Sequence, residues 1–286
     1  NKYEAELTKT QIKNIDEQLR KTPETDKMKI QELTSKLTQL TQKYQNVPYV
    51  LKQINEEIEK MSTISFAKIA ANPEFFSFMA NVDVPQETRD KIISQIGRLD
   101  KNYLKQMVSN SNWLNNLSNF SPDIVSAFLK QIEKEFKEKD IIETLSKTEV
   151  RNLINNLPPD HDLRKTFNNI CKGFISALLE KNIENISNAM SDCDGNIWLR
   201  PENIQAIDSI LSSYNLTEDE KKAIILNTLK KTANRSEIIR GAFKEAPGGP
   251  LKNILSKLTE KEREEVKKLL MPQEQAVLDS ILSSQA

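Results

Sequence analysis

The stretch from Ile30 to Met61, IQELTSKLTQLTQKYQNVPYVLKQINEEIEKM, decides the fold. Its apolar positions are Ile30, Leu33, Leu37, Leu40, Tyr44, Val47, Leu51, Ile54, Ile58 and Met61, so steps of three and four residues alternate without a miss. That period puts one continuous apolar seam along a helix, as in a coiled coil. Pro48 lies inside the seam, where it removes a backbone donor and crowds the preceding turn, and the long helix is expected to kink or restart there with its phase intact. Upstream, Ile12, Ile15 and Leu19 keep the same spacing until Thr22-Pro23 interrupts them. A turn at that point lays the first helix back along the second, predicting an antiparallel, coiled-coil-like helical hairpin over residues 1–62. The same seam would be buried equally well by a second copy of the chain, so self-association through the coiled coil is a further expectation.

Beyond Met61 the segments shorten and prolines punctuate them at Pro73, Pro85, Pro122, Pro158-Pro159, Pro201, Pro247, Pro250 and Pro272. Proline is tolerated in the first turn of a helix and excluded from its interior, so most of these mark helix starts. The expectation is an all-α body over residues 63–286, with an internal boundary near 157–160 or 191–200. Two segments repeat: PENIQAIDSILSS (201–213) aligns without gaps on PQEQAVLDSILSS (272–284), and Leu216-Thr217-Glu218-Asp219-Glu220 is similar to Leu258-Thr259-Glu260-Lys261-Glu262. They raise the possibility of stacked helical hairpins, although the two matches are spaced differently.

Composition narrows the rest. With 37% hydrophobic residues in 286, the chain can bury a sizeable core. Only six glycines and no alternating β-branched runs argue against sandwiches, barrels and dinucleotide-binding α/β folds. The 41 basic and 41 acidic residues cancel, so no net field draws in nucleic acid. No apolar run reaches the roughly 18 residues of a membrane span. Cys171 and Cys193 support neither a disulfide framework nor a four-ligand zinc site, which fits a reducing cytoplasmic environment. Heavy use of Asn, Lys and Ile points to an AT-rich bacterial genome of a host-associated organism, and the two chain ends read as those of a piece of a larger protein.

Few residues offer chemistry. The single histidine, His161, sits in Pro158-Pro159-Asp160-His161-Asp162, where Asp160 or Asp162 is expected to cap a helix. Gly248-Gly249 lacks the Lys-Ser/Thr that completes a phosphate loop. The stretch Asp192-Cys193-Asp194-Gly195-Asn196-Ile197-Trp198-Leu199-Arg200-Pro201-Glu202 resembles an EF-hand calcium loop, a resemblance confined to these residues. It implies Asp192, Asp194 and Asn196 as oxygen ligands, with Glu202 one residue short of the bidentate position; Ile197 replaces the turn glycine and Asn203 the glutamate. Trp198-Leu199-Arg200-Pro201-Glu202 also looks like the Trp-x-x-x-Glu signature of bacterial effectors that act as nucleotide-exchange factors for host Rho-type GTPases. That resemblance implies a supporting role for Trp198 and Glu202 and a GTPase-contacting loop at Gly248 and Gly249.

The densest aromatic cluster, with Phe75, Phe76, Phe78 and Met79 at its centre, is either a groove for a partner helix or core packing beneath the hairpin. The leading expectation is a non-enzymatic protein-interaction or scaffold module of a bacterial, effector-like protein, with no cofactor. A small-GTPase exchange factor and a calcium-responsive module are the alternatives.

Overall fold

A computed structural model of the protein describes residues 2–81, 84–192, 198–233, 235–244 and 250–283. The fold is all-α, with no strand among the described residues. The chain divides into two compact units, Asn1–Glu135 and Phe136–Ala286.

The first unit holds α1 (Lys2–Lys21), α2 (Lys27–Tyr44), α3 (Pro48–Lys60), α4 (Thr63–Ala70), α5 (Pro73–Asn81), α6 (Gln86–Ile96), α7 (Lys101–Val108), α8 (Ser111–Asn115) and α9 (Pro122–Glu135), with a 3-10 turn over Asn116–Asn119. The seam is buried as its period requires: Ile30, Leu33, Leu37, Tyr44, Leu51, Ile54, Ile58 and Met61 are all inside, while Leu40 and Val47 are half-buried. At Pro48 the helix restarts, with the proline in its first turn, where a missing N–H costs nothing. The restart alters the pairing. α1 buries Ala5, Ile12, Ile15 and Leu19 chiefly against α3 and only secondarily against α2. Asp16 meets Ser62, just past the end of α3, so α1 and α3 run in the same direction and α2 runs back. The expected hairpin is thus a three-helix arrangement.

Polar side chains finish the helix ends in this unit. Ser62 caps α4 and donates through Oγ to the Asp16 carboxylate at 3.0 Å, and Ser65 Oγ donates to the Asp16 carbonyl at 3.0 Å. Lys68 Nζ donates to the carbonyls of Leu19 and Thr22 at 2.6 and 2.7 Å, which ties the end of α1 to α4. Gln95, fully buried on α6, donates through Nε2 to the carbonyls of Ile58, Glu59 and Met61 at 2.7, 3.2 and 2.9 Å, closing the end of α3. Leucine in place of Gln95 leaves those carbonyls without that donor, and a loss of about 1–3 kcal/mol of unfolding free energy is expected by chemical denaturation.

The second unit holds α10 (Glu138–Leu145), α11 (Thr148–Asn156), α12 (Asp162–Ile170), α13 (Phe174–Glu180), α14 (Ile183–Ser191), α15 (Pro201–Ser212), α16 (Glu218–Lys231), α17 (Arg235–Lys244), α18 (Pro250–Ser256), α19 (Glu260–Lys267) and α20 (Pro272–Ser283). The similar segments adopt the same local structure. α15 and α20 each open on a proline, and α16 and α19 each open on a reciprocal Thr–Glu capping box, Thr217 with Glu220 and Thr259 with Glu262. Their order is reversed: the proline-initiated helix precedes the boxed helix in the first pair and follows it in the second. Tandem stacking of one repeated hairpin therefore does not describe these elements. Ion pairs Lys222–Glu262 at 3.1 Å and Lys230–Glu265 at 2.7 Å join α16 to α19 instead. No helix among the described residues is long and apolar enough to cross a membrane.

Candidate functional site

A cleft of about 670 Å³ opens in the first unit where the start of α2, the junction of α4 with α5, and α7 and α8 converge. Local sequence explains why the chain turns there. Asn72 accepts the N–H of Glu74 on Oδ1 at 3.1 Å at the start of α5. Asp100 caps α7 through the N–H groups of Asn102 and Tyr103, and Asn110 caps α8 through those of Asn112 and Trp113 at 3.0 and 3.3 Å. Each cap satisfies donors that a helix start leaves open.

The cleft has an apolar floor and a polar rim. Ile30, Ala67, Met107 and Trp113 are buried and form the floor. The Trp113 ring is fixed by its Nε1, which donates to the Ala70 carbonyl at 2.8 Å, and by edge contacts to Phe128 and Phe120 at 5.0 and 5.8 Å. Around the mouth stand Glu24, Lys27 and Glu74 together with the carboxamides of Gln31, Asn72, Gln106, Asn110 and Asn112. Asn72 and Asn110 commit their carbonyl oxygens to helix caps, so their NH₂ groups are the atoms left to offer a ligand. Gln31 Nε2 donates to Glu74 at 3.3 Å and bridges α2 to α5 across the rim. Met28 of α2, next in sequence to Lys27, is among the most exposed apolar side chains.

The aromatic cluster takes a different place from a binding groove. Phe75 and Phe76 are buried, with Phe76 5.3 Å from Phe75 and 5.1 Å from both Phe120 and Phe128. As partner-binding residues they are corrected to core, because α5 is enclosed by α2, α4 and the 3-10 turn. Phe78 is half-buried, and the Met79 side chain lies outside the described residues.

In the second unit Trp198 is fully buried and packs on Phe174 of α13 with ring centroids 4.4 Å apart. Pro201 begins α15, so Trp198 precedes the helix while Glu202 stands in its first turn. The side chain of Glu202, and Gly248, Gly249, Asp194 and Asn196, lie outside the described residues; Asp192 closes α14 as its C-cap. His161 is itself the cap of α12, its Nδ1 accepting the Leu163 N–H at 3.1 Å, which corrects the expectation that a flanking aspartate does so. Burial pushes the Cys171 thiol up to about 12, and its Sγ donates to the Phe167 carbonyl at 3.0 Å. Among the described residues no group of three His, Cys, Asp or Glu side chains could hold a metal ion.

No family model, curated protein or solved structure matches this chain. Its reading rests on its own geometry. The cleft floor is not legible in the sequence because each of its four helices contributes a single apolar residue that periodicity assigns to the core. Only the caps at Asn72 and Asn110 left a local signal.

Proposed function

We propose that the protein is a binding module that receives a segment of a partner polypeptide in the cleft of its first unit. The observation that carries the reading is the combination of a rigid apolar floor, Ile30, Ala67, Met107 and Trp113, with a rim of carboxamides and charges of both signs. Protein interfaces share that anatomy: a desolvated apolar centre anchors a side chain and a wet polar rim surrounds it. Carboxamides suit a polypeptide in particular, because each can give and take hydrogen bonds as a main-chain amide does.

Ala71 provides the test. It lines the cleft, is exposed, and has helical backbone angles at the end of α4, so a larger side chain fits there without strain. A library of displayed random peptides, selected on the protein, is expected to enrich sequences with a bulky apolar anchor. Ala71→Trp fills the mouth and should weaken those peptides at least about tenfold, or about 1.4 kcal/mol, in fluorescence polarisation, with an unchanged melting curve. Failure of any peptide to enrich, or equal binding to the tryptophan variant, would overturn the proposal.

A further inference from the structure

We infer that the trough between α1 and α2 is a docking groove for an acidic amphipathic helix of a partner protein. The trough encloses about 440 Å³ and shares no lining residue with the cleft of the same unit. α1 lends it residues 11, 14, 15 and 18, and α2 lends residues 36, 39, 40 and 43. The spacing of three, four and seven is the same on both helices, so each presents one straight row about 10 Å long. The trough exists because α1 packs chiefly on α3 and pairs more loosely with α2.

Leu40 shows that this bed is unfilled. It keeps the period of the apolar seam, yet it is the one seam residue within a helix that is left half-buried; Val47, the other half-buried member, lies in the turn before α3. Leu40 lines the trough with buried Ile15. Leu7, one turn before Gln11 on the same face of α1, is 46% exposed and continues the apolar line. Two antiparallel helices with an apolar line between them are the surface on which a bundle seats a further helix, ridge into groove. The carboxamides of Gln11 and Gln18 border that line with no hydrogen-bond partner among the described residues.

Charge selects the occupant. The charged residues of the trough are Lys36 and Lys43, at the two ends of the α2 row, and no carboxylate lines it. Lys36 reaches only Glu32, an exposed carboxylate at 3.5 Å that Lys29 also approaches. Lys43 lies 5.1 Å over the Tyr44 ring and has no carboxylate in ion-pair reach among the described residues. A helix with a leucine stripe flanked by glutamates meets the apolar line and both ammonium groups together. A second copy of the chain, docked through the same groove on both sides, would set lysine against lysine.

The probe is a fluorescent amphipathic peptide of about five turns, with leucines on one stripe and glutamates on its flanks, titrated with the full chain and read by anisotropy. A Kd of about 10 μM or tighter is expected at low salt, rising as salt is added. The same peptide with lysine for every glutamate should not bind. Reversing both charges, Lys36→Glu with Lys43→Glu, should weaken the acidic peptide at least about tenfold. Asn14→Trp, at an exposed position of the trough, should do the same by filling it, with the melting curve unchanged in both variants. Ala71→Trp, in the cleft, should leave this affinity as it is, which separates the two sites. Sedimentation of the chain alone should show no dimer that Asn14→Trp disperses. Failure of the acidic peptide to bind, equal binding of the lysine peptide, indifference to the charge reversal, or such a dimer would overturn the assignment.

Discussion

Trp113→Ala is expected to lower the unfolding free energy by about 3–5 kcal/mol, the range for removing a large aromatic side chain from a packed interior. The residue is 1% exposed, meets Phe120 and Phe128 edge-on, and donates its indole N–H to the Ala70 carbonyl. Alanine therefore opens a void among aromatic rings and strips a buried carbonyl of its donor. Trp113→Phe separates the two effects: much of the packing survives and the hydrogen bond does not, so a smaller cost of about 1–3 kcal/mol is expected. Urea unfolding reads the totals, and hydrogen exchange locates them, with amides of α4, α7 and α9 losing protection first. Equal costs for the two variants would show that the ring is not filling the space assigned to it. Because Trp113 also floors the cleft, its loss should abolish peptide capture even under conditions where the protein stays folded.

The second large effect belongs to Trp198. Its ring is fully buried against Phe174, so Trp198→Ala should also cost about 3–5 kcal/mol, with loss of exchange protection centred on α13 and α15. A cost below about 1 kcal/mol would be typical of a surface position and would remove Trp198 from the core of the second unit. The outcome also bears on the resemblance to exchange factors: a tryptophan whose removal loosens two helices of one unit acts through packing, whatever the chain binds.

Much of the fold was legible because helix grammar is local. Alternating steps of three and four, few glycines, and prolines at helix starts all act over one or two turns. Pro48, Pro73, Pro122, Pro201, Pro250 and Pro272 each open a helix. Less legible was anything decided by which helix meets which. The pairing of α1 with α3 depends on how the chain re-enters after Pro48, and an apolar seam does not name its partner. Phe75 and Phe76 fit either a groove or a core, and the choice depends on Phe120 and Phe128, far along the chain. The cleft is harder still, since its floor is assembled from α2, α4, α7 and α8. His161 shows the limit at the smallest scale: two aspartates beside it are better caps by preference, yet the turn places the imidazole over the Leu163 N–H.

The pairing of α1 with α3 also sets an order of events during synthesis. Asp16 and Ser62, which hydrogen-bond in the finished unit, are 46 residues apart. At about 5–20 residues per second, a ribosome needs about 2–9 s to make the chain between them. For that interval Ala5, Ile12, Ile15 and Leu19 have emerged without the surface that covers them, and α2 alone offers partial shelter. α1 is thus a segment that a chaperone would meet.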